Sequence, residues 1–276
     1  MTDEVAAGPV GQPEWPAGID TSKAHQARVY DYWLGGKDNF AVDREAAELA
    51  LAAYPGLRRG VRAQRAFLAN AVTYLARTVG IRQFLDIGTG IPTANNTHEV
   101  AHSVDPDARI VYVDNDPVVL AHARALLTGM RPGTTRYLDA DLRDTGRILG
   151  EAAALLDFRQ PMGILLIGIL QLIPDHDDPR GIVRRLMEAV PPGSWLAIFH
   201  PASDILADQI GAAARHVSAR SVVPVTLRSK AEVMQFFDGL ELLEPGLVQV
   251  HRWQPGAAAP DMGDQVAGYA GLARKL

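Results

Sequence analysis

The chain has 276 residues, 47% of them apolar, no cysteine and a formal net charge of -5. That length and apolar content can fill one large α/β core, while the lack of thiols excludes disulfides, thiolate catalysis and cysteine-ligated metals. A mildly acidic balance gives no global attraction to nucleic acid or anionic lipid, and the longest apolar run, MGILLIGILQLI at 162–173, is too short to span a bilayer.

Residues 1–22 are rich in Gly, Pro and Ala without periodicity and read as a flexible tail. Helical patterning begins near Lys23 and runs to Leu34, where Gly35 and Gly36 stop it. Asp43 is the expected N-cap of a second helix that reaches Tyr54 before Pro55 and Gly56. A third helix, from about Leu57 to Val79, sets Val61, Phe67, Ala71, Tyr74 and Leu75 along one side and closes at Gly80. Residues 23–80 therefore form an N-terminal helical cap, and 81–276 the core.

In that core, strands over 82–88, 109–114, 135–141, 162–168 and 194–200 alternate with helices over 93–104, 117–127, 145–156 and 178–190. Short apolar runs separated by helices of this length predict a parallel sheet covered on both faces. GLELLEPGLVQVHRW (239–253) and DQVAGYAGLARK (264–275) instead predict two long strands with no helix between them, an antiparallel hairpin closing the sheet.

The chemistry concentrates in FLDIGTGIPT, 84–93: a strand ending at Asp86, then Gly88 and Gly90, then a helix start. Such a turn brings backbone N–H groups to a ligand at the carboxyl ends of parallel strands. The second strand ends in Asp114 and the third in Asp141. An acid at the end of the second strand suits a ribose diol, because one carboxylate accepts from both hydroxyls. A dinucleotide fits poorly, since the third fingerprint glycine is replaced by Thr93 and Pro92 lacks an N–H. A nucleoside without phosphates fits better.

Asp86-Ile87-Gly88-Thr89-Gly90, YVDNDP at 112–117 and DADLRD at 139–144 resemble the cofactor motifs of class I S-adenosylmethionine-dependent methyltransferases. More narrowly, ARVYDYWLGGKDNFAVDREAA, RQFLDIGTGIPTANNTHEVA and ARIVYVDNDPVVLAHARALL are similar to a bacterial S-adenosyl methyltransferase family once catalogued as a domain of unknown function. The resemblance covers residues 24–276. It implies S-adenosyl-L-methionine as cofactor and a Rossmann-like seven-stranded sheet of order 3-2-1-4-5-7-6, its last strand antiparallel. Methyl transfer by in-line displacement is the implied reaction, with no substrate supplied. On the same resemblance Gly88 and Gly90 lie against the methionine portion and Asp86 holds its amino group. Asp114 takes the ribose hydroxyls with Asn115 and Asp116 beside it, Asp141 takes the adenine amino group, and Leu142 packs on the ring. Thr93, Asn95 and Asn96 then meet the carboxylate at a helix start.

Acceptor contacts belong at the ends of the fourth and fifth strands, which singles out Gln171, Asp175, His176 and His200. His200, closing SWLAIFH, is the candidate general base. RVYDYWLGGKDNF at 28–40 is no phosphate loop, because its Gly-Lys follows a helix and precedes Asp38. It reads as a lid, with Tyr30, Tyr32, Trp33 and Phe40 walling the pocket and Lys37 and Asn39 supplying hydrogen bonds. A helical lid encloses a small-molecule acceptor better than it admits a duplex or folded protein. Arg62 and Arg65 meet either an acidic ligand or solvent.

Three other function classes fit parts of the sequence. One is a non-catalytic protein that binds S-adenosylmethionine or S-adenosylhomocysteine, and a second is a nicotinamide dehydrogenase. The third is a zinc hydrolase, because HEVAH at 98–102 matches the pattern of two histidines one turn apart with a glutamate between. The location directly after a glycine loop, with no evident third ligand, argues against the metal. No basic segment followed by an apolar one opens the chain, so a cytoplasmic protein is expected. Oligomeric state leaves no mark in the sequence.

Overall fold

Four apolar runs and one more polar edge segment, TRYLD, make the sheet at the centre of the molecule, the inner strands buried as a covered parallel sheet requires. In a computed structural model, which describes residues 20–127, 133–256 and 266–276, they pair side by side. They are β1 (Gln83–Ile87), β2 (Arg109–Asp114), β3 (Thr135–Asp139), β4 (Gly163–Ile167) and β5 (Trp195–Pro201), all parallel. Beyond β5 the direction reverses. The last strand, β8 (Gly268–Lys275), runs antiparallel to β5 from Trp195 against Arg274 to Pro201 against Gly268. Both β6 (Leu240–Leu242) and β7 (Val248–Gln249) pair with β8, so the sheet order is β3-β2-β1-β4-β5-β8-β6. This is the expected Rossmann-like order with one extra short strand.

The single long strand expected over 239–253 is broken. Pro245 brings no N–H to a ladder, Gly246 follows at φ +79, and a 3-10 turn occupies Val250–Arg252. Asp264 and Gln265 of the opposite arm, and most of the expected tail, lie outside the described residues.

The cap begins with α1 (Gln26–Leu34), α2 (Ala41–Ala53) and α3 (Leu57–Tyr74). Asp43 is not the N-cap of α2: the helix starts at Ala41, and Asp43 Oδ2 reaches back to accept the Phe40 N–H at 2.8 Å. The second half of α3 lies on the sheet, where Phe67, Leu68, Ala71 and Leu75 join Phe84, Tyr112 and Leu165 in one core. That helix is thus part cap and part core layer. Around the sheet follow α4 (Thr97–His102), α5 (Pro117–Leu127), α6 (Thr145–Ala152) and α7 (Pro179–Glu188).

Two helices absent from the sequence reading, α8 (Ala207–Ser218) and α9 (Lys230–Met234), fill the connection between β5 and β6. The cap reaches over to α8's exit, where the Ala24 N–H donates to the Arg220 carbonyl at 2.9 Å. Among the described residues, no helix is long and apolar enough to cross a membrane.

Candidate active site

Local geometry at the carboxyl ends of β1 and β2 explains why the loop between Asp86 and Ile91 needs its glycines. Gly88 sits at φ +75 and Gly90 at φ +67, in the left-handed region where L side chains are strained. A Cβ on Gly88 would stand 2.5 Å from the Ile169 Cβ, so there is no room for one. The Gly88 N–H donates to the Val113 carbonyl at 2.8 Å and the Gly90 N–H to Asp114 Oδ2 at 2.8 Å. Asp114 Oδ1 accepts the Asp116 N–H at 2.9 Å, so both oxygens are fixed by backbone. Burial pushes the Asp114 carboxyl up, and the two N–H donors work against that rise.

Asp86 closes the same edge from β1. It is 5% exposed, and Thr97 Oγ1 donates to its Oδ2 at 2.6 Å. Burial raises its carboxyl to about 6, against the opposing pull of the Thr97 hydrogen bond and the Arg65 charge. Arg65 itself donates to the Ala94 and Asn95 carbonyls, both at 3.1 Å, and ties the cap to the loop after the glycines. Arg62 is exposed.

These groups open onto a cavity of about 440 Å³. One end is lined by Asp86, Gly88, Gly90, Asp114, Asn115, Asp141 and Leu142. The other is walled by apolar side chains: Trp33, Tyr54, Leu57 and Val61 from the cap, Ile210 and Ala214 from α8, and Val223 and Val225 beyond it. Asp141 is ion-paired, with Arg143 Nη1 at 2.9 Å from its Oδ2. Arg143 also lines the cavity and reaches Asp177 through Nε at 2.7 Å.

Of the lid residues, Tyr30 and Trp33 line the cavity; Tyr32, Lys37, Asn39 and Phe40 do not. Tyr32 turns to Glu48 and lies under Arg58, Lys37 is exposed, and Phe40 packs near Ile91 and Val118. Asn39 Nδ2 donates to Asp31 Oδ2 at 2.8 Å, and the Asp38 N–H joins it at 2.9 Å. The polar crowding of this stretch is therefore a turn folded round the buried Asp31 carboxyl.

The glycine loop also differs from the expectation. Helix α4 starts at Thr97, because Asn95 adopts φ +61 and Asn96 forms a capping box with Glu99. Thr93 and Asn95 are left in the preceding loop, off the cavity wall.

His200 is not placed to act as a base. It is fully buried, does not line the cavity, and both ring nitrogens are engaged. Arg228 Nη1 lies 2.8 Å from Nε2, and since guanidinium only donates, Nε2 must accept. Nδ1 then carries the proton and donates to the Pro201 carbonyl at 2.9 Å. Burial, helped by Arg228, pushes the ring down to about 3, so it stays neutral. Asp175 pairs with Arg228 at 2.7 Å, and His176 is exposed. Gln171 does line the cavity, its Nε2 held by the Gly168 carbonyl at 2.6 Å.

The HEVAH residues are each committed elsewhere. His98 Nδ1 meets Tyr112 Oη at 2.8 Å, His102 Nε2 the Ala108 carbonyl at 3.0 Å, and Glu99 the Asn96 N–H at 2.9 Å. Among the described residues, no group of three or more metal-ligating side chains gathers.

A model of the S-adenosyl methyltransferase family matches residues 12–276. The chain belongs to this family. Two solved structures extend the match over nearly the whole fold. A DUF574 family protein from Streptomyces avermitilis is 46% identical with a TM-score of 0.87, covering 93% of this chain and 99% of the other. A protein from Thermobifida fusca assigned as a methyltransferase is 40% identical with a TM-score of 0.86, covering 94% and 98%. The plantazolicin methyltransferase BamL, solved with a triazolic desmethyl analog and S-adenosylhomocysteine, shares the fold at a TM-score of 0.52 and 11% identity. It covers 90% of this chain and 95% of its own. No curated protein matches the chain.

The cofactor of this S-adenosyl methyltransferase is S-adenosylmethionine, and the site suits such a group. Gly90 faces open space, where a Cβ would meet nothing within 4 Å but would narrow the cavity, and acids stand at the ends of β1 and β2.

Proposed function

We propose that this protein transfers the methyl group of S-adenosylmethionine to a small, predominantly apolar acceptor held between the cap and α8. The observation that carries the reading is one continuous cavity, with glycines and acids at one end and apolar side chains at the other. Asp86, Gly88, Gly90, Asp114, Asn115, Asp141 and Leu142 would hold the cofactor. When bound, it supplies an electrophilic methyl group on a sulfonium. The rest is positioning: the apolar wall from Trp33, Tyr54, Val61 and α8 orients the acceptor and excludes water, which strengthens electrostatics at the reacting atoms. Gln171 and Tyr30 are polar groups within reach of that space. With His200 locked in a neutral tautomer, the acceptor brings a nucleophile that does not depend on it.

The N-terminal helices and the sheet thus divide the work, the strand ends binding cofactor while α1, the first half of α3 and the α2–α3 turn complete the acceptor pocket against α8. Incubating the protein with radiolabelled cofactor and separated small-molecule and macromolecular fractions of cell extract tests this. Label is expected in an organic-extractable small molecule. Label in protein or nucleic acid would refute the acceptor class. Cofactor binding with no transfer to either fraction would make the chain a non-catalytic binding protein. Asp114→Ala should abolish calorimetric S-adenosylhomocysteine binding; unchanged affinity would overturn the cofactor assignment.

A further inference from the structure

His25 has no part in the chemistry described so far, yet it lines the cavity at the N-cap of α1. Its Nδ1 lies 2.6 Å from Asp116 Oδ2. Asp116 is 2% exposed, and its other oxygen accepts the Val118 N–H at 2.8 Å. Burial pushes the Asp116 carboxyl up, but the His25 ring and the Val118 N–H outweigh it and hold it below its usual range. An ionised carboxylate at that distance requires Nδ1 to carry the proton. The Ala27 N–H stands 3.4 Å from the same nitrogen, in position to donate to it when the ring adopts its other tautomer. All of the ring's recorded contacts are through Nδ1, which leaves Nε2 with no partner among the described residues.

The backbone around this ring is pinned on two sides. The His25 N–H donates to Asp43 Oδ1 at 2.9 Å, and Ala24 bridges to Ser221 at the exit of α8. Residues 24 and 25 thus form a strap from the acceptor wall to the turn after β2. Asp114, the acid proposed for the ribose, lies two residues before Asp116 on that turn. A hydroxyl is the partner that satisfies Nε2 in either protonation state, since it both donates and accepts. The ribose diol is the hydroxyl pair the cofactor would bring to this edge.

We propose that His25, positioned by Asp116, is the cap's own contact with the cofactor, its Nε2 hydrogen-bonding a ribose hydroxyl. This inference rests on the assignment of the glycine-loop edge to S-adenosylmethionine.

Calorimetry with S-adenosylhomocysteine and its 2′-deoxy and 3′-deoxy analogues separates the possibilities. His25→Ala removes the ring. His25→Asn keeps an N–H close to the Nδ1 position for Asp116 but places nothing where Nε2 stood. Both variants are expected to weaken S-adenosylhomocysteine about tenfold, one hydrogen bond's worth. Against the analogue lacking the contacted hydroxyl, wild type and variants should bind alike, which isolates the coupling between that hydroxyl and residue 25. Wild-type affinity in His25→Asn would overturn the proposal, because the ring would then serve only as a latch on Asp116. An equal loss with every analogue would overturn it too, as would unchanged affinity combined with loss of turnover. If wild type fails to bind S-adenosylhomocysteine at all, the cofactor assignment fails first; if Asp114→Ala abolishes binding while both His25 variants retain it, only this inference falls.

Discussion

Asp86→Asn is expected to make the ligand-free protein more stable while destroying its cofactor site. Burial lifts the Asp86 carboxyl from 3.8 to about 6. At about 1.36 kcal/mol per pH unit, holding it ionised in the folded, empty protein costs about 3 kcal/mol. Between those two values the folded state keeps a proton that the unfolded chain has already released, so stability falls as pH rises through the window and stays lower above it. Asparagine carries no charge, and its carbonyl can still accept from Thr97 Oγ1. Urea denaturation should therefore show the variant about 3 kcal/mol more stable than wild type at pH 8, a gain that vanishes toward pH 4. A variant that is less stable at pH 8, or whose gain is independent of pH, would refute the reasoning. On the binding side, the proposed partner of Asp86 is an ammonium, which favours the ionised carboxylate. Binding below pH 6 should then release a proton, visible as a dependence of calorimetric enthalpy on buffer ionisation, and Asp86→Asn should lose both the release and the affinity.

His200→Ala should lose about 2–4 kcal/mol of stability, because it empties a fully buried site and strips Arg228 of one acceptor, yet leave S-adenosylhomocysteine affinity within about twofold. A variant that melts like wild type but has no turnover would restore His200 to the mechanism. Gly88→Ala combines a left-handed backbone with a Cβ 2.5 Å from Ile169, and about 2–5 kcal/mol of strain and overpacking should appear as lost stability and lost cofactor binding; calorimetry that matches wild type would show that the loop yields. Ala214→Phe pushes a ring from α8 into the apolar end of the cavity. It should preserve S-adenosylhomocysteine affinity while raising the acceptor KM about tenfold or abolishing transfer; parallel losses of both would mean the two ends are not separable.

Strand positions and the glycine-loop edge that lines the cavity were legible because both are local. FLDIG and IVYVD are apolar runs ending in an acid, and the end of a parallel strand is where such a fold exposes a side chain to ligand. What sequence could not show was the partner of a polar residue. His200 reads as a base at a strand end until Arg228, 28 residues later, arrives in a loop and occupies Nε2. The lid stretch reads as a cluster of ligand contacts until Asp31 gathers Asp38 and Asn39 round itself. In both cases the capacity for hydrogen bonding was visible, and the long-range or turn geometry that consumes it was not. The break at Pro245 was foreseeable in principle, because a ladder needs the N–H that proline lacks.

Helix α8 escaped for a reason connected with function. Its sequence, ADQIGAAARHVS, buries Ile210, Ala213 and Val217, with Ala214 also on the cavity wall. Amphipathic helices announce themselves by large apolar residues at helical spacing, and those residues are the filling of a core. Where a helix's inner face borders empty space, alanines replace some of those residues, here Ala213 and Ala214 between Ile210 and Val217, since more bulk would close the cavity. The same side chains that weaken the periodic signal make the pocket. By this logic the cofactor end and the acceptor end are built from different materials. Backbone N–H groups hold Asp114, and a change there propagates through the loop. The proposed acceptor wall is a set of separate apolar side chains, the aromatic Trp33 and Tyr54 with smaller or branched ones on α3, α8 and residues 221–227, whose volumes can change one at a time. Selectivity for the acceptor should therefore respond to substitutions in α8 and the segment after it, far in sequence from the glycine loop.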